Sequence, residues 1–253
     1  MPPLQALIFD VDGTLAETEE VHRQAFNEAF ASFGLRWRWE RPLYKELLQI
    51  TGGKERILYY LTKWHAPDLA AVREKIPEIY DFKTKQYSAA ILAGAVELNL
   101  GVARLLAEAK AAGARLAIAT TTHRDNVEVL LRHTLPARGA SLFDAIVAGG
   151  EVRAKKPDPE VFETALRKLR LPVASCVAFE DSAHGANAAR GAGLPVVVTP
   201  GIYTADDDFS GASSVISDLG EPGGPHRHLA GWEWPDGYVS FAALQSQIAK
   251  DPA

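Results

Sequence analysis

Cysteine and methionine are nearly absent from this 253-residue chain, which has one of each, Cys176 and Met1. A single thiol excludes an internal disulfide and fits a reducing cytoplasm, the compartment expected here. No apolar run approaches the roughly 20 residues that cross a bilayer, so no membrane partner is expected. The first apolar segment begins at Leu4, which leaves no room within the chain for a signal or transit peptide ahead of it. Positive charge is also short. The 27 Lys and Arg face 32 Asp and Glu, a net charge of −5, which argues against a nucleic-acid surface. An anionic ligand must therefore be attracted by a few local cations. Apolar residues, by contrast, make up 47% of the chain, enough for a sizeable core without a structural metal.

Five short apolar runs read as buried parallel strands: "LQALIF" (4–9), "RLAIAT" (115–120), "DAIVAG" (144–149), "CVAFE" (176–180) and "PVVVT" (195–199). Most lack polar alternation, as strands covered on both faces do. Helical patterns separate the later four: "RDNVEVLLRHT", "DPEVFETALRKL" and "SAHGANAARGAG". In the second, Asp158 suits the N-cap and Pro159 the first helical position. The alternation predicts an α/β fold with a doubly wound parallel sheet. Between Asp10 and Arg115 lie 104 residues, far more than one crossover helix needs. Only "GVARLLAEAKAAG" (101–113) reads as the crossover, stopped by Gly113. The stretch 18–94 carries apolar positions at helical spacing and reads as an inserted helical domain, a lid over the carboxyl ends of the strands. Residues 1–17 and 95–220 then form the core, and 221–253 an extension. That extension reads as Gly- and Pro-rich loop followed by a short helix in "YVSFAALQSQIAK". The "HRH" at 226–228 has no third ligand near it and reads as surface histidines.

In a parallel sheet the carboxyl ends of all strands share one rim. Here that rim collects Asp10 and Asp12, the hydroxyls of Thr120, Thr121 and Thr122, the ammonium groups of Lys155 and Lys156, and the carboxylates of Glu180 and Asp181. Each alone has an ordinary explanation as a cap, turn or solvated residue. Four acids converging on one rim without compensation are unfavourable, which implies a hard cation. All-oxygen donors point to Mg²⁺ rather than Zn²⁺. Gly13 suits the tight turn that follows the first strand.

"DVDGTL", the strand-end Thr120, "KKPDPEVF" and "EDSAHG" resemble, in order and spacing, the four motifs of the haloacid dehalogenase-like hydrolase superfamily. The helical insertion after the first motif is similar to that family's type I cap. "GTLAETEEVHRQAFNEAF", "TGGKERI" and "ATTTHRDNV" are similar to the CbbY type, sugar-bisphosphate phosphatases related to β-phosphoglucomutase.

The resemblance implies a phosphatase with Asp10 as nucleophile and Asp12 as general acid and base. Thr120 and Lys156 then stabilise the phosphoryl oxygens. Mg²⁺ is expected on Asp10, the backbone carbonyl of Asp12, and Asp181, with Glu180 reaching it through water. The implied substrate is xylulose 1,5-bisphosphate, a Rubisco by-product that inhibits the enzyme in the Calvin cycle. "TGGKERI" offers Gly52 and Gly53 amides with Lys54 and Arg56 as a loop for the second phosphate, the rival reading being a solvated turn. Lys83, with Lys85 as its competitor, joins them from the cap. Glu17 and His22 are candidates for sugar hydroxyls.

The same residues would serve a sugar phosphomutase. A phospho-accepting regulatory module shares the rim acids but needs neither Asp12 nor the cap, and a dehalogenase has no use for Asp12. The expected partner is a small sugar phosphate, and the chain is read as a monomer. One departure stands out: "NLGV" (99–102) replaces the family's "RPGV", so a looser approach to the crossover helix is expected.

Overall fold

In the computed structural model the described residues are 3–65, 69–135, 137–224 and 227–250. The elements run β1 (Ala6–Phe9), α1 (Glu19–Ser32), α2 (Arg41–Leu47), α3 (Gly53–Trp64), α4 (Leu69–Val72), α5 (Ile76–Leu92) and α6 (Val102–Ala111). They continue with β2 (Arg115–Ala119), α7 (Arg124–Thr134), β3 (Ala145–Val147), α8 (Glu160–Leu169), β4 (Cys176–Glu180), α9 (Ala183–Gly191) and β5 (Val196–Val198). Then come β6 (Ser214–Ile216), β7 (His228–Gly231) and α10 (Phe241–Lys250). One seven-stranded sheet has the order β3-β2-β1-β4-β5-β6-β7. Its first six strands are parallel and β7 is antiparallel to β6.

Alternate residues of a strand face opposite sides of the sheet. Leu7, Phe9, Leu116, Ile118, Val177 and Phe179 join the apolar layer that includes α6, α7 and α10. Ala6, Ile8, Ala117, Ala119, Cys176 and Ala178 face α8 and α9, where small side chains let the helices approach. Phe9 and Phe179 stack with centroids 4.5 Å apart, which fixes β1 against β4.

The residues between β1 and α6 form a helical face with its own aromatic cluster, centred on Phe26, Phe30, Trp37, Trp39 and Tyr44. Its apolar packing is continuous with the sheet side, because Ala25, Tyr87 and Ile91 belong to the sheet-side layer.

The structure corrects several details. The runs read at 4–9, 115–120, 144–149 and 195–199 are each one to three residues shorter as strands, their ends being loop. Helix α8 begins at Glu160, one residue later than expected, yet Asp158 still accepts the Glu160 N–H at 2.9 Å. The extension is not loop up to its helix: β7 lies inside the Gly- and Pro-rich stretch and pairs with β6, a strand that three apolar-flanked residues did not announce. All four β7 residues are exposed, so no hydrophobic pattern marks them. The extension is stapled by Arg104, whose guanidinium donates to the carbonyls of Leu219, Gly220 and Val239, and by Trp234 Nε1 on Ser214 Oγ. His226 of the "HRH" run lies outside the described residues, and His228 Nε2 meets its neighbour Gly231 O at 3.2 Å. The "NLGV" segment is tied down rather than loosened. Asn99 Nδ2 donates to Gly13 O at 2.8 Å and Thr14 O at 3.0 Å, and Asn99 N–H donates to Leu15 O.

Candidate active site

Strand register brings the rim residues together. Phe9 pairs with Ile118 on one side and Phe179 on the other, so Asp10 and Glu180 emerge side by side and Thr120 one residue further along β2. Lys156, from the β3–α8 connection, enters between the acids. Its Nζ donates to Asp10 Oδ1 at 2.6 Å and to Glu180 Oε1 at 2.5 Å, and all three side chains are buried. Asp10, Glu180 and Asp181 each offer an oxygen within 4.8 Å of the others.

Glycines make room for this cluster. A Cβ on Gly13 would sit 2.3 Å from Asp181 Oδ2, and one on Gly185 would sit 1.9 Å from Glu180 Oε2. Gly13 also has φ +82°, a conformation that side chains disfavour.

Burial pushes the Asp10 carboxyl up to about 7, although the Lys156 ammonium works against it. Burial, with the charges of Glu180 and Asp10, raises Asp181 well above the carboxylate range. Burial opposes charge on Lys156 too, but Asp10 and Glu180 outweigh it and its pKa is raised. Three buried acids against one lysine leave negative charge uncompensated. A hard divalent cation fits both this deficit and the oxygen donor set.

Asp12 is built differently. Its Oδ1 accepts from Thr18 Oγ1 at 2.5 Å and lies 3.1 Å from His22 Nε2. His22 Nδ1 is in turn 2.6 Å from Lys83 Nζ, and the imidazole stacks on Tyr87 at 4.1 Å. Burial opposes ionisation of Asp12, but the His22 charge and the His22 and Thr18 hydrogen bonds hold it at about 2. Lys83 is pushed down to about 7 by burial, against the pull of Asp12 and Glu19. Burial, followed by the Lys83 charge, lowers His22.

Two hollows of about 120 and 70 Å³ meet at Asp12, Gly52, Arg56 and Thr121. The first also reaches Asp10, Thr120, Lys156 and Asp181, and the second reaches His22, Lys83, Gly53 and Thr122. Arg56 is fixed by Nε on the Leu47 and Ile50 carbonyls and by Nη1 on Tyr44 Oη at 3.1 Å.

Three candidates are not brought to these hollows. Lys54 and Lys85 line the wider cleft outside, because each is two residues along its helix from Arg56 or Lys83 and so lies on a different face. Glu17 lines a neighbouring cavity with Asn99 and Gly201, its carboxylate accepting from the Ile202 and Glu19 N–H groups. Glu19, two residues on, borders both hollows instead and accepts from Tyr44 Oη at 2.7 Å. Burial raises the Glu19 carboxyl, with Arg56 opposing. An acid in the first turn of a helix has an ordinary dipole explanation, which hid Glu19 in the sequence. Thr18 and Tyr44 carried no sequence signal.

A family model for haloacid dehalogenase-like hydrolases matches residues 7–199. The chain belongs to this family. It is 46% identical to the plasmid CbbY protein of Cupriavidus necator over 251 residues, 96% of each chain. A crystal structure of a CbbY variant from Rhodobacter sphaeroides, in complex with xylulose 1,5-bisphosphate, superposes with TM-score 0.80 at 46% identity, covering 87% of this chain and 97% of that one. The β-phosphoglucomutase of Clostridium difficile, at 18% identity and TM-score 0.73, shares the fold over 98% of both chains. This member of the hydrolase family groups with the CbbY proteins, and its enzymatic class is that of a phosphatase. Among the described residues no helix is long and apolar enough to cross a membrane.

Proposed function

We propose that the protein is a Mg²⁺-dependent sugar-bisphosphate phosphatase acting through an aspartyl phosphate, with xylulose 1,5-bisphosphate as substrate. The observation that carries this reading is Lys156 Nζ, 2.6 Å from Asp10 and 2.5 Å from Glu180, on a hollow that also takes Arg56 and there meets a second hollow lined by Lys83. One end of the cleft is equipped for a reacting phosphate, the other for a second anion. The Rhodobacter sphaeroides relative, seen with xylulose 1,5-bisphosphate, supports the choice of substrate.

Asp10, Asp181 and Glu180 are the residues that would hold Mg²⁺, with the backbone carbonyl of Asp12. The ion supplies positive charge that keeps Asp10 ionised and offsets its repulsion from the phosphate dianion. Asp10 attacks phosphorus and the bond to the sugar oxygen breaks, so one difficult displacement becomes two. Lys156 and Thr120 meet the charge on the phosphoryl oxygens. Asp12 gives a proton to the departing sugar oxygen, then removes one from the water that splits the aspartyl phosphate. Held between Thr18 and His22, Asp12 is ionised and suited to the second half-reaction. Release from His22 removes one of the groups that keep its pKa low, and so favours the protonated form needed in the first.

The second phosphate is assigned to the Gly52–Gly53 amides at the start of α3, with Arg56 and Lys83. Glu19 faces the sugar between the two phosphates. Residues 18–94 act as the cap and residues 1–17 with 95–220 as the catalytic core.

A steady-state comparison across pentose and hexose mono- and bisphosphates tests the assignment. A preference for bisphosphates of at least tenfold in kcat/KM, about 1.4 kcal/mol, is expected. Equal rates on monophosphates would refute the second-phosphate assignment. Conversion of a hexose 1-phosphate to its 6-phosphate without free phosphate would replace the phosphatase with a mutase.

A further inference from the structure

We propose that Thr51 and Glu55, which flank the two glycines at the start of α3, are positioning residues for Lys156. The proposal rests on the reading of Lys156 as the charge partner of Asp10 during the reaction.

Lys156 sits in the long connection between β3 and α8, which has no ladder of its own to fix it. One end of its stretch is anchored to α8. Glu160 accepts the N–H groups of Arg153 at 3.0 Å and Ala154 at 2.7 Å. The other anchor comes from the helical side. Thr51 Oγ1 donates to the Lys156 carbonyl at 3.0 Å, and Lys155 Nζ donates to Glu55 Oε1 at 2.6 Å.

The ion pair closes directly over Gly52. A Cβ there would lie 2.3 Å from Glu55 Oε2 and 2.4 Å from Lys155 Nζ, and Gly52 has φ +100°. Its positive φ is what calls for glycine at position 52, and a side chain there would also push the Glu55–Lys155 pair aside. Thr51 holds the Lys156 main chain through its carbonyl, and Glu55 holds the neighbouring Lys155 through its side chain, while the Lys156 side chain runs to Asp10 and Glu180. The side chains of Lys155 and Glu55 are 27% and 52% exposed, so the pair adds little to stability. Its effect is to fix where Lys156 starts. The loop assigned to the second phosphate thus touches the segment that carries the lysine of the reacting phosphate.

A double-mutant cycle on the full-length chain tests this, run on whichever phosphate monoester the wild type turns over. Glu55→Ala and Lys155→Ala are each expected to lower kcat by roughly two- to fivefold, the range of a partly exposed ion pair, with little change in KM. Thr51→Val is expected to lower kcat by a similar factor. The double variant should be no slower than the slower single one. Exchanging the charges, with Glu55→Lys and Lys155→Glu together, should recover most of the rate, which a purely structural defect would not do. Losses that multiply, or a charge exchange that recovers nothing, would overturn the role of Thr51 and Glu55. Absence of turnover in the wild type would instead overturn the reading of the site itself.

Discussion

The sheet rim and the helical face above it both send charged side chains into one cleft, but they hold them by different means. Asp10, Thr120 and Glu180 stand one residue past a strand end or at it, and hydrogen-bonded ladders set their backbone positions. Arg56, His22 and Lys83 are held instead through side chains, on helix-end carbonyls and on one another. A ladder leaves little freedom, so the rim suits the invariant chemistry of phosphoryl transfer. Helix faces can be altered residue by residue without disturbing the sheet, which suits the sugar-selecting role proposed for them.

The comparison breaks most sharply at Asp10. Asp10→Asn should reduce phosphate release on the order of 10⁴-fold or more on every substrate while leaving circular dichroism unchanged. A folded variant with substantial turnover would remove Asp10 as the nucleophile. On the helical face, Arg56→Ala should cost about ten- to a hundredfold in kcat/KM for bisphosphates, as a lost charge-assisted hydrogen bond does. Monophosphates should be nearly unaffected, and a uniform loss would mean that Arg56 acts on the fold. Lys54→Ala, outside the hollows, should change neither by more than about twofold, the scale of a solvated surface charge; a larger effect would bring Lys54 back into the site.

Protonation separates the regions as well. Asp10, raised to about 7, and Asp181, Glu17 and Glu19, also raised, bind protons in the folded state that the unfolded chain releases. Their contribution to stability is complete below the unfolded carboxylate range and is lost as pH rises through about 7. His22 and Lys83, both lowered by burial, work in the opposite sense, Lys83 only above about pH 7, but are two groups against four. Metal-free protein should therefore melt lower at about pH 8 than at about pH 5.5. Saturating Mg²⁺ should restore about 5–10 °C at the higher pH and less at the lower. An equal shift at both would detach the cation from these carboxylates.

What could be read in the sequence follows the same division. Strand ends announce themselves as apolar runs that stop at a polar residue, so Asp10, Thr120 and Asp181 were visible, and with them the parallel sheet. Helix faces do not. Lys83 and Lys85 are two residues apart in one helix and differ only in which side they face, and the cations Lys54 and Arg56 are spaced the same way in another. Glu17 and Glu19 are equally acidic, and only the start of α1 at Glu19 turns one inward and leaves the other against Ile202. Strand β7 escaped because an exposed edge strand buries nothing and carries no alternation.

Acid-quenching the enzyme during turnover of xylulose 1,5-bisphosphate carrying a labelled phosphoryl group tests the central claim most directly, with the attachment site located by peptide mass spectrometry. The label is expected on Asp10, to depend on Mg²⁺, and to disappear when the bound phosphate is chased into water. A label on any other residue, or full turnover with strong chelator present, would contradict the account.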